Sequence, residues 1–200
     1  MNQKVQQMNS IIYMACDLLS IPSPYIYYLN TQTNFILLDE NYQIISYDIR
    51  DVGCNITSIK YNMKENTIYI NEKMFEDVLG LYIRILRQLR MAYQIKQVQQ
   101  MNPANSYNIV SQWAYFYESQ KQRKMKYYES AATEVDKNAF AYVILRDAFG
   151  IIIRFEKSNE HLQNRIEELS REYSPVDILQ AANKFGVSCW GLGRFNLKDF

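Results

Sequence analysis

A single histidine, His161, is all the imidazole this 200-residue chain contains. Any site that needs two histidines from one subunit is therefore excluded. The three cysteines, Cys16, Cys54 and Cys189, stand far apart with no C-x-x-C spacing. Neither a disulfide framework nor a thiolate metal site is legible, and a reducing cytoplasm fits this usage best. Net charge is lacking too: 22 Lys and Arg against 21 Asp and Glu leave +1, which gives no bulk attraction to nucleic acid or anionic membrane. The opening MNQKVQQMNS has no positive segment leading into an apolar one, and the longest apolar run, NAFAYVILRDAFGIIIRF, is cut by Arg146 and Asp147. No signal peptide, spanning helix or membrane partner is expected. No internal repeat or low-complexity linker marks a boundary.

What the chain does have is apolar and aromatic surface. Hydrophobic residues make up 48% and charged residues 22%, ordinary values for a globular protein with a real core. Its 17 tyrosines are amphipathic side chains of the kind enriched at recognition surfaces.

The periodicity then sets out the elements. Ile11, Ile12, Met14, Ala15, Leu18 and Leu19 recur at helical spacing over residues 3–20, and the IPSP at 21–24 ends that helix, because proline cannot continue it. NFILLDE (34–40), YQIISYD (42–48) and TIYIN (67–71) read as strands and suggest a small antiparallel sheet in the N-terminal half. From Glu72 the period changes to one stripe of Phe75, Val78, Leu79, Tyr82, Leu86, Leu89 and Tyr93, a long central helix reaching about Gln100. An aromatic helix, IVSQWAYFYESQ, runs into the basic patch KQRKMK at 121–126, and another helix begins near Thr133. HLQNRIEELSREY is a solvated amphipathic helix with Leu162, Ile166, Leu169 and Tyr173 inward. Ser174-Pro175-Val176-Asp177 opens a last helix, DILQAANKF, that stops at Gly186: serine caps, proline suits the first turn, and the aspartate complements the exposed N–H groups. The fold class is α+β, mostly helical. Residues 1–155 form the main domain and 156–200 a helical C-terminal extension on the same core.

Three short motifs carry a resemblance. The central helix contains Arg87-Gln88-Leu89-Arg90-Met91-Ala92-Tyr93-Gln94, a later helix Glu134-Val135-Asp136-Lys137-Asn138-Ala139-Phe140-Ala141, and the last part Phe185-Gly186-Val187-Ser188. In this order they resemble the ImmA/IrrE-like zincin metallopeptidases, whose long helix carries His-Glu-x-x-His. In that motif two histidines one helical turn apart grip zinc while the glutamate polarises its water. Here Arg87 and Met91 stand where the histidines would be and Gln88 where the glutamate would be, while Arg90, Ala92, Tyr93 and Gln94 match. Arginine stays charged and an amide is no general base at neutral pH. The resemblance places a carboxylate ligand at Asp136, beside Glu134, with Lys137 departing from the usual alanine. Asp136 is then expected to pair with Arg87 instead of a metal. The vestigial positions are Arg87, Gln88, Met91, Glu134 and Asp136, with no catalytic residue, no metal and no cofactor.

The same residues also have plainer readings. Leu86, Leu89 and Tyr93 are core positions in any amphipathic helix, with Arg87 and Arg90 solvated beside them. Glu134 and Asp136 complement a helix N-terminus. His161 is a surface residue outside all three motifs. Lys121, Arg123, Lys124 and Lys126, flanked by Tyr127 and Tyr128, can bind phosphate and stack on bases, or can simply be a solvated face. Residues 181–195 imitate a helix-turn-helix, but Gly191 and Gly193 weaken its second helix. The resemblance implies an inactive peptidase-like protein of a bacterial host's cytoplasm that binds a protein partner, as an anti-repressor or a phage or mobile-element inhibitor of a host system. The alternative is a nucleic-acid-binding module using the 121–126 patch and the C-terminal helical pair.

Overall fold

Helix α1, Asn2–Leu19, buries Val5, Met8, Ile11, Ile12, Met14, Ala15, Cys16 and Leu19 on one face. It ends as Ser20 turns into the left-handed region and the prolines follow. The computed structural model describes residues 2–29, 37–38, 44–45, 59–62, 65–101, 108–121, 132–153 and 160–187.

Five strands make one sheet: β1 (Tyr25–Leu29), β2 (Leu37–Leu38), β3 (Ile44–Ile45), β4 (Lys60–Asn62) and β5 (Thr67–Asn71), in the order β3-β2-β1-β5-β4. The sheet is not the purely antiparallel one expected. Its longest pairing, β1 with β5, is parallel, with Ile26 opposite Ile68 and Tyr28 opposite Ile70, while the short outer pairs are antiparallel. All five β5 residues are buried, the pattern of a central strand covered on both faces, where parallel pairing occurs. TIYIN coincides with β5, whereas the β1 sequence YIYYL, just past the IPSP that ends the first helix, is a strand that the sequence pattern assigns to no element.

A 3-10 turn at Glu72–Glu76 leads into α2, Val78–Gln100, so the long helix starts later than Glu72. Asp77 caps it, its carboxylate accepting from the Gly80 N–H at 2.9 Å. The expected stripe is buried at Leu79, Tyr82, Leu86 and Leu89, and Leu81 and Ile85 join it. Helices α3 (Ile109–Lys121), α4 (Ala132–Phe149), α5 (Glu160–Glu172) and α6 (Pro175–Lys184) complete the described elements. Helix α4 lies at the centre, packed against α2, α3, α5 and α6, while α1 packs against α2 and α6. Leu162, Leu169, Tyr173, Ile178, Ala181 and Ala182 enter the same apolar cluster as α1, α2 and α4. The C-terminal helices therefore share the main core.

The last helix begins and ends as its sequence dictates. Ser174 accepts from the Asp177 N–H at 3.2 Å. At the other end the N–H groups of Gly186 and Val187 return to the Asn183 and Ala182 carbonyls. That closure puts Gly186 at φ 65°, a conformation glycine adopts without a Cβ penalty. Ser188 and the stretch carrying Gly191 and Gly193 lie outside the described residues. Among the described residues no helix is long and apolar enough to cross a membrane.

Candidate functional site

Helix α2 turns two neighbouring rows of side chains toward α4. Residues four apart sit about 40° apart around a helix, so Arg87 and Met91 form one row and Arg90 and Gln94 the next. Facing them, the first turns of α4 bury Thr133, Glu134, Asp136 and Lys137 together.

On the first row Arg87 Nη2 donates to Glu134 Oε2 at 2.9 Å, and Lys137 Nζ pairs with Glu134 Oε1. The Arg87 side chain keeps 34% of its surface in solvent while that of Glu134 keeps 3%. Gln88 and Met91 are half-buried on α2.

On the second row the Asp136 carboxylate is fully enclosed. Arg90 grips it with Nε to Oδ2 at 2.8 Å and Nη2 to Oδ1 at 3.0 Å. Gln94 Nε2 donates to Oδ2 at 2.7 Å, and Arg165 Nε, arriving from α5, donates to Oδ1 at 2.7 Å. Each oxygen thus receives two donors, which fills the roughly four acceptor positions of a carboxylate. The remaining atoms of this shell are tied down in turn. Arg90 Nη1 donates to the Tyr173 hydroxyl at 3.1 Å, Gln94 Nε2 also reaches the Thr133 carbonyl at 3.1 Å, and the Tyr117 hydroxyl donates to Gln94 Oε1 at 2.7 Å.

Aromatic rings surround the guanidinium. Arg90 Cζ lies 4.5 Å from the Tyr93 ring centre, 5.3 Å from Phe140, 5.7 Å from Trp113 and 5.9 Å from Tyr173. Those faces attract a cation more strongly once water is excluded, and Arg90 is 0% exposed. Burial pushes the Asp136 carboxyl up, but the Arg90 charge and hydrogen bonds, with Arg165 and Gln94, outweigh it and hold it below the usual carboxylate range. Burial alone lifts Tyr173 most, with the Arg90 charge opposing.

Arg165 is the link to solvent. Its Nη1 donates to Glu168 Oε2 at 2.5 Å. Burial lowers its basicity, yet Asp136 more than offsets this and keeps it charged. A cleft of about 430 Å³ opens alongside, lined by Gln112, Val135, His161, Asn164, Arg165 and Glu168 among others.

Several expectations change. Asp136 pairs with Arg90, not with Arg87, and Arg87 pairs with Glu134. The reason is rotation about α2: the row shared by positions 87 and 91 faces Glu134, and Asp136 falls opposite the adjacent row. Of the two carboxylates, Glu134 is the one aligned with the positions that resemble zinc ligands. Arg90 is not solvated but sits in the core. His161 is exposed, as expected, and lines the cleft. Lys121 is the last residue of α3, whereas Arg123, Lys124, Lys126, Tyr127 and Tyr128 lie outside the described residues.

Arg165 went unnoticed because its helix read as solvated. Its place three residues after Leu162 and four before Leu169 puts it on the edge of the apolar stripe, which was the available signal. Among the described residues no group of three or more His, Cys, Asp or Glu is placed to hold a metal ion. Comparison with known protein families, curated proteins and solved structures finds no match for this chain.

Proposed function

We propose that this chain is a catalytically inactive, zincin-like relative of the ImmA/IrrE group that acts by binding another protein, as an anti-repressor or a small mobile-element inhibitor of a host system. One observation carries the reading. The helix that resembles the zinc-binding one and the helix that resembles the carboxylate-bearing one pack together, and guanidinium groups close both carboxylates: Arg87 on Glu134 and Arg90 on Asp136. Such an arrangement supports a frame whose shape outlasts its chemistry. Cations occupy the carboxylates from within, so folding no longer calls on a metal to neutralise them.

Gln88, half-buried on the same turn, has an amide where hydrolysis needs a base. What is left to such a protein is surface recognition, for which exposed tyrosines such as Tyr25 and Tyr115 are suited. Two measurements test the reading together. Protein purified without chelators should contain no stoichiometric zinc and should show no rise in melting temperature on adding it. Affinity capture from bacterial host cells should recover one specific protein in stoichiometric amount. Recovery of nothing but nucleic acid, released steeply by salt, would replace this reading with the nucleic-acid one.

A further inference from the structure

The Asp136 carboxylate is shared. Arg90 and Arg165 both bind it, with Glu172 adding negative charge near Arg90 and Glu168 pairing with Arg165 at the rim. The two carboxylates on Arg165 are not held alike. The Asp136 side chain is 0% exposed and Arg165 11%, but Glu168 is 57% exposed and joined to Arg165 by one hydrogen bond between residues three apart on α5. With Glu168 largely in solvent, screening by water and the cost of fixing its long side chain offset most of the attraction of this pair.

From these observations we infer that the cleft beside Arg165 is a binding site for a carboxylate on a short aliphatic stem, supplied by an aspartate or glutamate side chain of the protein partner. The incoming carboxylate displaces Glu168 and takes its place on Arg165. The guanidinium is already oriented for this: Asp136 holds Nε, and Nη1 points to the rim where Glu168 now sits. Binding therefore does not have to order it. Gln112, His161 and Asn164 add hydrogen-bonding groups around the opening, while Ile109, Ala132 and Val135 give an apolar wall for the methylene stem. With Glu168 displaced, the Nη1 edge of Arg165 offers a single positive charge, matched by a singly charged carboxylate.

This assignment rests on the protein-binding reading and names the chemistry of its partner. It is tested on the full chain by NMR at low salt, with three probes: a blocked tripeptide Gly-Glu-Gly, its Gly-Gln-Gly counterpart, and glutarate. The glutamate peptide should shift the Arg165 Nε–H and the Asn164 and Gln112 amides saturably, and the glutamine peptide should not. Glu168→Gln removes the internal competitor from an exposed position, and binding should tighten about two- to five-fold, the worth of an exposed pair. Unsaturable shifts, equal shifts with the glutamine peptide, or unchanged affinity in Glu168→Gln would each overturn the assignment. Tighter binding of glutarate than of the peptide would overturn the protein source and assign the cleft to a free dicarboxylate. Metal analysis and partner capture do not depend on Glu168, so failure of the inactive-peptidase reading is distinguished from failure of this one.

Discussion

Replacing Asp136 by asparagine asks how much the buried charge network holds. Arg90 cannot lose its proton at any pH a protein survives, and at 0% exposure it cannot reach water. In Asp136→Asn one oxygen becomes an NH₂ group that points donors at a guanidinium, so the four hydrogen bonds now received from Arg90, Gln94 and Arg165 cannot all re-form. Removing one partner of a buried pair costs about 3–5 kcal/mol, out of a typical total of about 5–15 kcal/mol. For a chain of this size each kcal/mol is worth about 2–4 °C, so the midpoint should fall by about 6–20 °C. Urea and thermal unfolding followed by circular dichroism would measure it, with an unchanged m-value showing that the native state stayed compact.

The pH dependence has a definite sign. The carboxyl of Asp136 is depressed below its ordinary 3.8 in the folded protein. Its contribution is complete above that value and is lost as pH falls through the lower folded one. The gap between wild type and Asp136→Asn should therefore be constant from neutral pH down to about 4 and shrink below it. A loss of less than about 1 kcal/mol at neutral pH, the size of a surface pair, would refute the argument that Arg90 depends on Asp136.

Other changes should behave differently. Arg87→Ala removes a partly exposed partner and leaves Lys137 on Glu134, so its cost should stay within about 1 kcal/mol by urea titration. Gly80→Ala would set a Cβ 1.9 Å from Asp77 Oδ2 and displace the α2 cap. About 1 kcal/mol should be lost, and little more when Asp77→Ala is added. Burial pushes the Cys16 thiol up to about 12; in a variant whose only cysteine is Cys16, alkylation at pH 8 should be negligible until denaturant is added.

Much of the frame could be read from local pattern. The α1 stripe, the β5 run TIYIN, the buried face of α2 and the serine cap of α6 each follow from periodicity or capping chemistry confined to a few neighbouring residues. Less legible was β1: YIYYL is a short run without apolar/polar alternation, and its parallel partner β5 comes some forty residues later. The site divides the same way. The residue types at 87, 90, 134 and 136 were visible, but which arginine meets which carboxylate depends on the rotation of α2 against α4, a tertiary quantity. Arg165 was hidden for a similar reason, since its partner Asp136 lies 29 residues away.

The packing of α1 against α6 orders events during synthesis. Tyr13 faces Phe185 at 6.4 Å between ring centres, and Lys184 reaches Asp17 across 167 residues of chain. Helix α1 is thus covered on that side by residues more than 160 positions further along the chain. While the chain emerges, that side of α1 has no partner, and the protein can neither close its core domain by domain nor finish folding before residue 184 is free. Chains halted before α6 would present an uncovered apolar helix, the kind of surface that chaperones and proteases recognise.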